Sequence, residues 1–87
     1  MKIKKGFILR MVGGENIVVP VGEQSKTFHG LINLNETGAF LWRFFSEEHT
    51  ASEAVEALCK EYEADCELVE ADVARFVDVL TKNGFVE

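Results

Sequence analysis

Two cysteines and two histidines are the side chains best suited to metal binding or nucleophilic chemistry: Cys59, Cys66, His29 and His49. Six residues separate the cysteines, whereas paired ligands of structural zinc sites are usually roughly two to four residues apart. Cys59 also falls in an apolar helical pattern, where a thiol acts as a small hydrophobic side chain. No third group is placed to orient a cysteine–histidine pair, as nucleophilic catalysis requires. The sequence therefore predicts no metal site, no cofactor and no enzymatic activity.

The charge of the chain differs between its two parts. Residues 1–34 carry five basic and two acidic side chains, whereas residues 35–87 carry four basic and thirteen acidic ones. An acidic surface repels phosphate, so the sequence predicts a protein that does not bind nucleic acid. A winged-helix DNA-binding protein, which places a basic helix in the major groove, is therefore the weakest of the alternatives.

Length and composition predict one folded domain, residues 1–87. The chain is 47% hydrophobic and contains seven phenylalanines and one tryptophan, which is typical of a globular domain rather than of a disordered segment. It lacks the roughly 20 consecutive apolar residues of a membrane span. Two cysteines without a signal peptide predict reduced thiols and a cytoplasmic protein. The initial methionine and the apolar C-terminal tail favour a free protein rather than part of a fusion.

The N-terminal part of the sequence predicts three short strands. The segments FILRMV and NIVVPV flank Gly13-Gly14, a pair typical of a tight hairpin turn. Pro20 is expected at a strand end, because proline cannot donate a ladder hydrogen bond. The polar, glycine-bounded residues 22–30 predict a loop, and LINL (31–34) predicts a third strand that pairs with the second.

The C-terminal part predicts three helices. Asn35 is a suitable N-cap for the first helix, whose aromatic residues are expected in the core, and Thr50 with Glu53 forms the pattern of a capping box at the second. Gly84 is the expected stop of the third helix. The predicted fold class is therefore α+β and winged-helix-like, with a three-stranded antiparallel sheet followed by three helices.

The edge of the third predicted strand is a candidate docking site. A terminal strand with an unpaired side can accept an extended peptide through main-chain hydrogen bonds, with the last helix as the other wall of a groove. Asp72 lies about 60° from Val69 on the wheel of that helix, at the margin of its apolar stripe. An unpaired strand edge can also pair with a second copy of the chain, so a homodimer is a further expectation.

Several motifs, taken in order, resemble the PqqD family of precursor-peptide recognition elements. They are VVPVG, the segment LxxLNETGAFLW, and DVxxFVxxLxxNGFVE at the C-terminus, and the resemblance spans residues 8–87. It implies a non-catalytic protein that binds the leader segment of a ribosomally synthesised precursor peptide as an added strand. It also implies a modifying enzyme as partner, commonly a radical SAM maturase. A subunit that tethers the maturase without binding a leader is the alternative.

The resemblance also implies which residues would bind the leader peptide. These are Gly30, Leu31, Ile32 and Asn33 of the third strand, through backbone groups, and Val69, Asp72, Val73, Phe76 and Val79 of the last helix. Because the helical half is acidic, we expect Asp72 to pair with a basic residue of the leader. Asn35 is expected to cap its helix and not to contact the peptide.

Overall fold

Three strands and four helices form from the residues that the computed structural model describes, 1–27 and 32–87. They are β1 (Phe7–Val12), β2 (Glu15–Pro20), α1 (Gln24–Thr27), β3 (Ile32–Leu34), α2 (Glu36–Phe44), α3 (Ala51–Tyr62) and α4 (Cys66–Lys82). The predicted α+β fold class is confirmed. The short helix α1 was not expected, since it lies within the predicted loop. It is a single turn in which the Ser25 hydroxyl donates to the Gly22 carbonyl at 2.7 Å, a local side-chain hydrogen bond typical of polar turns.

The strands form an antiparallel sheet in the order β1-β2-β3. Gly13 and Gly14 connect β1 to β2 with φ angles of 58° and 82°, which is the left-handed backbone that a two-residue hairpin turn requires. Pro20 ends β2, as predicted, opposite Phe7. Asn33 of β3 pairs with Ile17 of β2. Because β3 stands last in the strand order, it is a terminal strand of the sheet formed by the described residues.

Each long helix begins at a polar cap. The Asn35 Oδ1 accepts a hydrogen bond from the Gly38 N–H at 2.8 Å, and Thr50 and Glu53 form the predicted reciprocal capping box. Asp65, which was not predicted as a cap, caps α4: its carboxylate accepts a hydrogen bond from the Glu67 N–H at 2.9 Å. These caps satisfy backbone donors that have no partner within the helix.

Helix α4 ends in a glycine motif that turns the chain back onto the core. Gly84 has a φ of 71°, and the Phe85 N–H donates to the Leu80 carbonyl at 2.9 Å, the pattern of a Schellman cap. Phe85 is 1% exposed and its ring meets the ring of Trp42 edge-on at 5.6 Å between centroids. The next residue, Val86, forms a β-bridge with Ile3. The expected apolar tail is therefore present.

The core lies between one face of the sheet and helices α2 to α4. Its most completely buried side chains are Phe45, Phe85, Leu41, Leu58, Leu80, Val18 and Val73. The predicted aromatic contribution from α2 is confirmed, because Trp42 and Phe45 are buried and Phe40 and Phe44 pack against them as partly buried rings. In the part of the chain that the structure describes, we find no helix with the length and apolarity needed to span a bilayer.

Candidate functional site

A concavity of about 260 Å³ lies between the N-terminal half of α2 and the middle of α4, beside the residue that follows β3. Its lining consists of Asn35, Thr37, Gly38, Leu41, Asp72, Arg75, Phe76 and Val79. We call it the α2–α4 groove. Leu41 is buried and forms an apolar floor. The groove is therefore a mostly apolar depression with one charged pair on its α4 wall.

Gly38 brings the three elements of this region together. A Cβ atom at Gly38 would lie 3.3 Å from the Cβ atom of Leu34 in β3 and 3.5 Å from Cε1 of Phe76 in α4. It would also lie 3.0 Å from the capping Oδ1 of Asn35. The glycine thus allows the end of β3 and the Phe76 ring to approach the first turn of α2 closely. The end of the terminal strand is consequently adjacent to the α2–α4 groove.

The predicted site residues of α4 divide between the groove and the core. Asp72, Phe76 and Val79 line the groove, whereas Val69 and Val73 are only 4% and 1% exposed and belong to the core. At roughly 100° per residue, the two valines point about 60° or more away from Asp72 and Val79 on the helical wheel of α4. Of the five α4 residues expected to bind a peptide, three thus lie at the surface of the groove.

The predicted site residues of the third strand are only partly described. Gly30 and Leu31 lie outside the described residues. Ile32 is half-buried and packs against the core, and Asn33 is exposed on the opposite face of β3. This alternation is that of a strand with one buried face, in which backbone groups rather than side chains are directed along the sheet edge.

A stripe of solvent-facing positions on α4 includes two residues, Leu68 and Arg75, that were not among the predicted site residues. Leu68, Asp72, Arg75 and Val79 fall within about 60° of one another on the helical wheel, and we call them the outer stripe. Leu68 is 66% exposed and Val79 is 44% exposed. The spacing of Leu68 and Val79, which is eleven residues or about three turns, could have indicated this stripe.

The charged pair of the groove is formed within α4. The Arg75 guanidinium donates to the Asp72 carboxylate, and the two side chains are 73% and 48% exposed. Asp72 is thus at the boundary between core and solvent, as its wheel position indicates, and it already has a cationic neighbour. A basic residue of a ligand would have to share this carboxylate with Arg75.

The cysteines and histidines do not assemble into a metal site in the described part of the chain. No group of three or more histidine, cysteine or acidic side chains has the proximity to hold a metal there, and His29 lies outside that part. His49 instead stacks on Phe44, with ring centroids 4.0 Å apart. A contact with Cys66 and partial burial raise the pKa of the half-buried Cys59 thiol to about 11, so this sulfur stays protonated at neutral pH.

Comparison with known proteins identifies the family of this chain. The model of a family described as coenzyme PQQ synthesis protein D (PqqD) matches residues 7–86. The chain belongs to the PqqD family. The resemblance that the sequence motifs indicated is therefore confirmed, over nearly the same residues.

A solved structure has the same fold as this PqqD-family chain. It is described as TbiB1 in complex with the TbiA(beta) leader peptide, with a TM-score of 0.76 and 24% sequence identity. The match covers 100% of this chain and 95% of the other. Among curated proteins, no match was found. At this level of identity the structural likeness establishes the fold, with its three-stranded antiparallel sheet followed by helices.

Proposed function

We propose that this protein is a non-catalytic module that binds the leader segment of a ribosomally synthesised precursor peptide and presents it to a modifying enzyme. The leader would add to the edge of β3 as a further antiparallel strand and lay its side chains against the outer stripe of α4. One observation carries the proposal: a terminal strand ends beside a groove whose helical wall exposes apolar side chains. Membership of the PqqD family and the leader complex of the similarly folded TbiB1 support it.

Main-chain hydrogen bonds and the burial of apolar side chains would both contribute to the free energy of leader binding. An added strand would gain main-chain hydrogen bonds along the side of β3 that faces away from β2, which no strand of the described residues pairs with. Burial of Phe76, Val79 and Leu68 would add a hydrophobic contribution that depends on the leader's side chains. A short peptide on so small a surface is expected to bind with a Kd on the order of micromolar, which corresponds to about −8 kcal/mol.

The family and the composition support the remaining features of the proposed role. We infer that residues 1–87 act as one domain in the cytoplasm and that the partner enzyme is of the radical SAM maturase type. A homodimer formed through the β3 edge would compete with the leader for the same strand. Sedimentation measurements with and without leader therefore test both states.

The decisive experiment is an amide NMR titration of the full chain with the leader region of a precursor peptide encoded beside its gene. Strand addition predicts shifts confined to residues 29–34 and 68–80. Tethering of a maturase without leader capture predicts no shifts at saturating peptide, together with binding of the enzyme itself. Shifts spread over the remote ends of α3 would contradict the proposed site.

A matched pair of variants tests the groove itself. Val79→Asn places a polar group in the α4 wall, whereas Val12→Asn makes the same change at a hairpin position that is 56% exposed. Full burial of a valine side chain is worth about 1.5–3 kcal/mol. Since 44% of Val79 is exposed in the free protein, its loss should weaken leader binding roughly three- to tenfold. Equal effects of the two variants would rule out the groove as the binding site.

A further inference from the structure

The inner face of the β1–β2 hairpin becomes more exposed towards the tip of the hairpin. Along the inward positions of β1, exposure rises from 9% at Phe7 through the half-buried Leu9 to 68% at Met11. On β2 the inward Val18 is 0% exposed, whereas Asn16, which pairs with Met11, is only partly buried. The inward face of the hairpin is thus well covered near Phe7 and Val18 and much less covered at its tip.

The tip of the hairpin forms one wall of a second cleft, with a volume of about 820 Å³. The start of α2 and the end of α3 form the other walls, and Leu34, Phe40 and Tyr62 contribute apolar surface to it. The Phe40 and Tyr62 rings meet edge-on with their centroids 6.0 Å apart. The volume lies within the roughly 300–1,000 Å³ of clefts that hold drug-sized ligands, which is room for a few side chains. We call it the hairpin cleft.

The hairpin cleft and the α2–α4 groove lie on opposite faces of α2. Glu36, Phe40 and Arg43 line the cleft, while Thr37, Gly38 and Leu41 line the groove. These two sets of positions are separated by roughly 150° on the helical wheel. The two sites share only Asn35 among their lining residues, so they present different side chains of α2 to a ligand.

The charges around the hairpin cleft are mainly negative. Glu15, Glu36 and Glu61 line it together with one cation, Arg43. Partial burial raises the pKa of the Tyr62 hydroxyl, and the nearby carboxylates of Glu36 and Glu61 raise it further. These two carboxylates therefore lie close to the apolar floor, where a cationic side chain would gain from pairing with them.

We propose that the hairpin cleft docks a segment of a second protein that carries large apolar side chains next to lysine or arginine. The apolar side chains would cover Met11, Phe40 and Tyr62, and the basic ones would pair with Glu36 and Glu61. Methionine suits such a surface because its flexible, polarisable side chain adapts to different partners. The acidic rim excludes phosphate-rich ligands. This surface lies on a different face of α2 from the α2–α4 groove, and the two sites meet at Asn33 and Asn35.

The test uses the full chain and two synthetic, end-blocked peptides of the same apolar pattern, Lys-Leu-Lys-Phe-Lys and Glu-Leu-Glu-Phe-Glu. In an amide NMR titration, the lysine peptide is expected to shift resonances of Met11, Asn16, Phe40 and Tyr62. The glutamate peptide is expected to bind at least tenfold more weakly. Equal binding of the two peptides would overturn the proposal, as would shifts that fall only on the outer stripe of α4.

Matched double variants separate specific docking from general attraction to an acidic protein. Glu36→Gln with Glu61→Gln should weaken binding of the lysine peptide at least fivefold. The control, Glu56→Gln with Glu70→Gln, removes the same charge from exposed positions outside the cleft lining and should weaken binding less than twofold. Equal losses would refute the proposal.

A further variant tests the role of Met11 in the cleft, and a dilution series tests whether a second copy of the chain occupies it. Met11→Ser, at an exposed position where folding is little affected, should weaken the lysine peptide at least threefold, and unchanged binding would count against the cleft. Concentration-dependent shifts of the cleft residues without peptide would show that a second copy of this chain occupies it instead. Leader titrations that fail while the lysine peptide binds would refute only the leader site, and the reverse result would refute only the cleft.

Discussion

The ion pair between Asp72 and Arg75 gives opposite predictions for two substitutions in the proposed leader site. If the leader presents a basic residue to Asp72, then Asp72→Asn removes its partner and Arg75→Gln removes its competitor. The first variant should weaken leader binding and the second should strengthen it. A variant that merely destabilised the fold would weaken leader binding, so opposite effects of the two substitutions on affinity would indicate a direct charge contact.

The exposure of the two side chains sets the expected size of each effect. A hydrogen bond to a charged group contributes about 1.5–3 kcal/mol. Because Asp72 is 48% exposed and is shared with Arg75, the low end applies, so Asp72→Asn should weaken binding roughly tenfold. Arg75 is 73% exposed, and removal of an exposed like charge is worth about 0.5–1 kcal/mol. Arg75→Gln should therefore strengthen binding roughly two- to fivefold.

Isothermal titration calorimetry with the leader peptide at about 50 mM and 500 mM salt checks these values. Both effects should shrink at the higher salt, since screening shortens the reach of charges at the surface. Thermal unfolding is the control: an exposed pair contributes about 0–1 kcal/mol to folding, so both variants should stay folded. If Arg75→Gln weakened binding and Asp72→Asn did not, the leader would present an acidic residue, and the expected pairing would be wrong.

Three further predictions concern the folded chain itself. Asn35→Ala removes the cap of α2 and should cost about 1 kcal/mol, or a melting temperature lower by roughly 4–8 °C, whereas Asn33→Ala at an exposed position should change little. Phe85→Ala should cost about 3–5 kcal/mol, a large part of the roughly 5–15 kcal/mol of a small domain, as chemical denaturation would show; a loss below about 1 kcal/mol would contradict the packing described for the tail. The Cys59 thiol, with a pKa raised to about 11, should be alkylated about tenfold faster per pH unit up to about pH 11. Peptide mapping by mass spectrometry measures this rate, and a plateau near pH 9, the ordinary pKa of a thiol, would show that the thiol is not shielded.

The sequence was sufficient wherever a signal is local. Asn35, Thr50 with Glu53, and Gly84 mark helix ends because each side chain, or its absence, acts on backbone groups within one turn. The hairpin at Gly13-Gly14 follows from the same kind of local rule. The order of three strands and three long helices could therefore be read before any contact was known.

The features of the two concave surfaces depend on contacts between distant segments and could not be read in this way. A helical wheel gave the apolar stripe of α4, but only the packing against α2 and α3 shows that Val69 and Val73 face the core while Leu68 faces solvent. Likewise, the strand pattern does not reveal that Met11, on the same face of β1 as the buried Phe7, is 68% exposed. The pairing of Arg75 with Asp72, by contrast, is a local i, i+3 contact within α4, whose spacing is already present in the sequence.

The β-bridge between Ile3 and Val86 has a consequence for how this domain can be joined to others. The Glu87 N–H also donates to the Lys2 carbonyl at 2.9 Å, so the first and last residues lie side by side. A tag or an enzyme fused to either end would emerge from the same point of the surface. A short linker between the two ends, with new termini opened at the tip of the β1–β2 hairpin, should yield a circular permutant with the same fold.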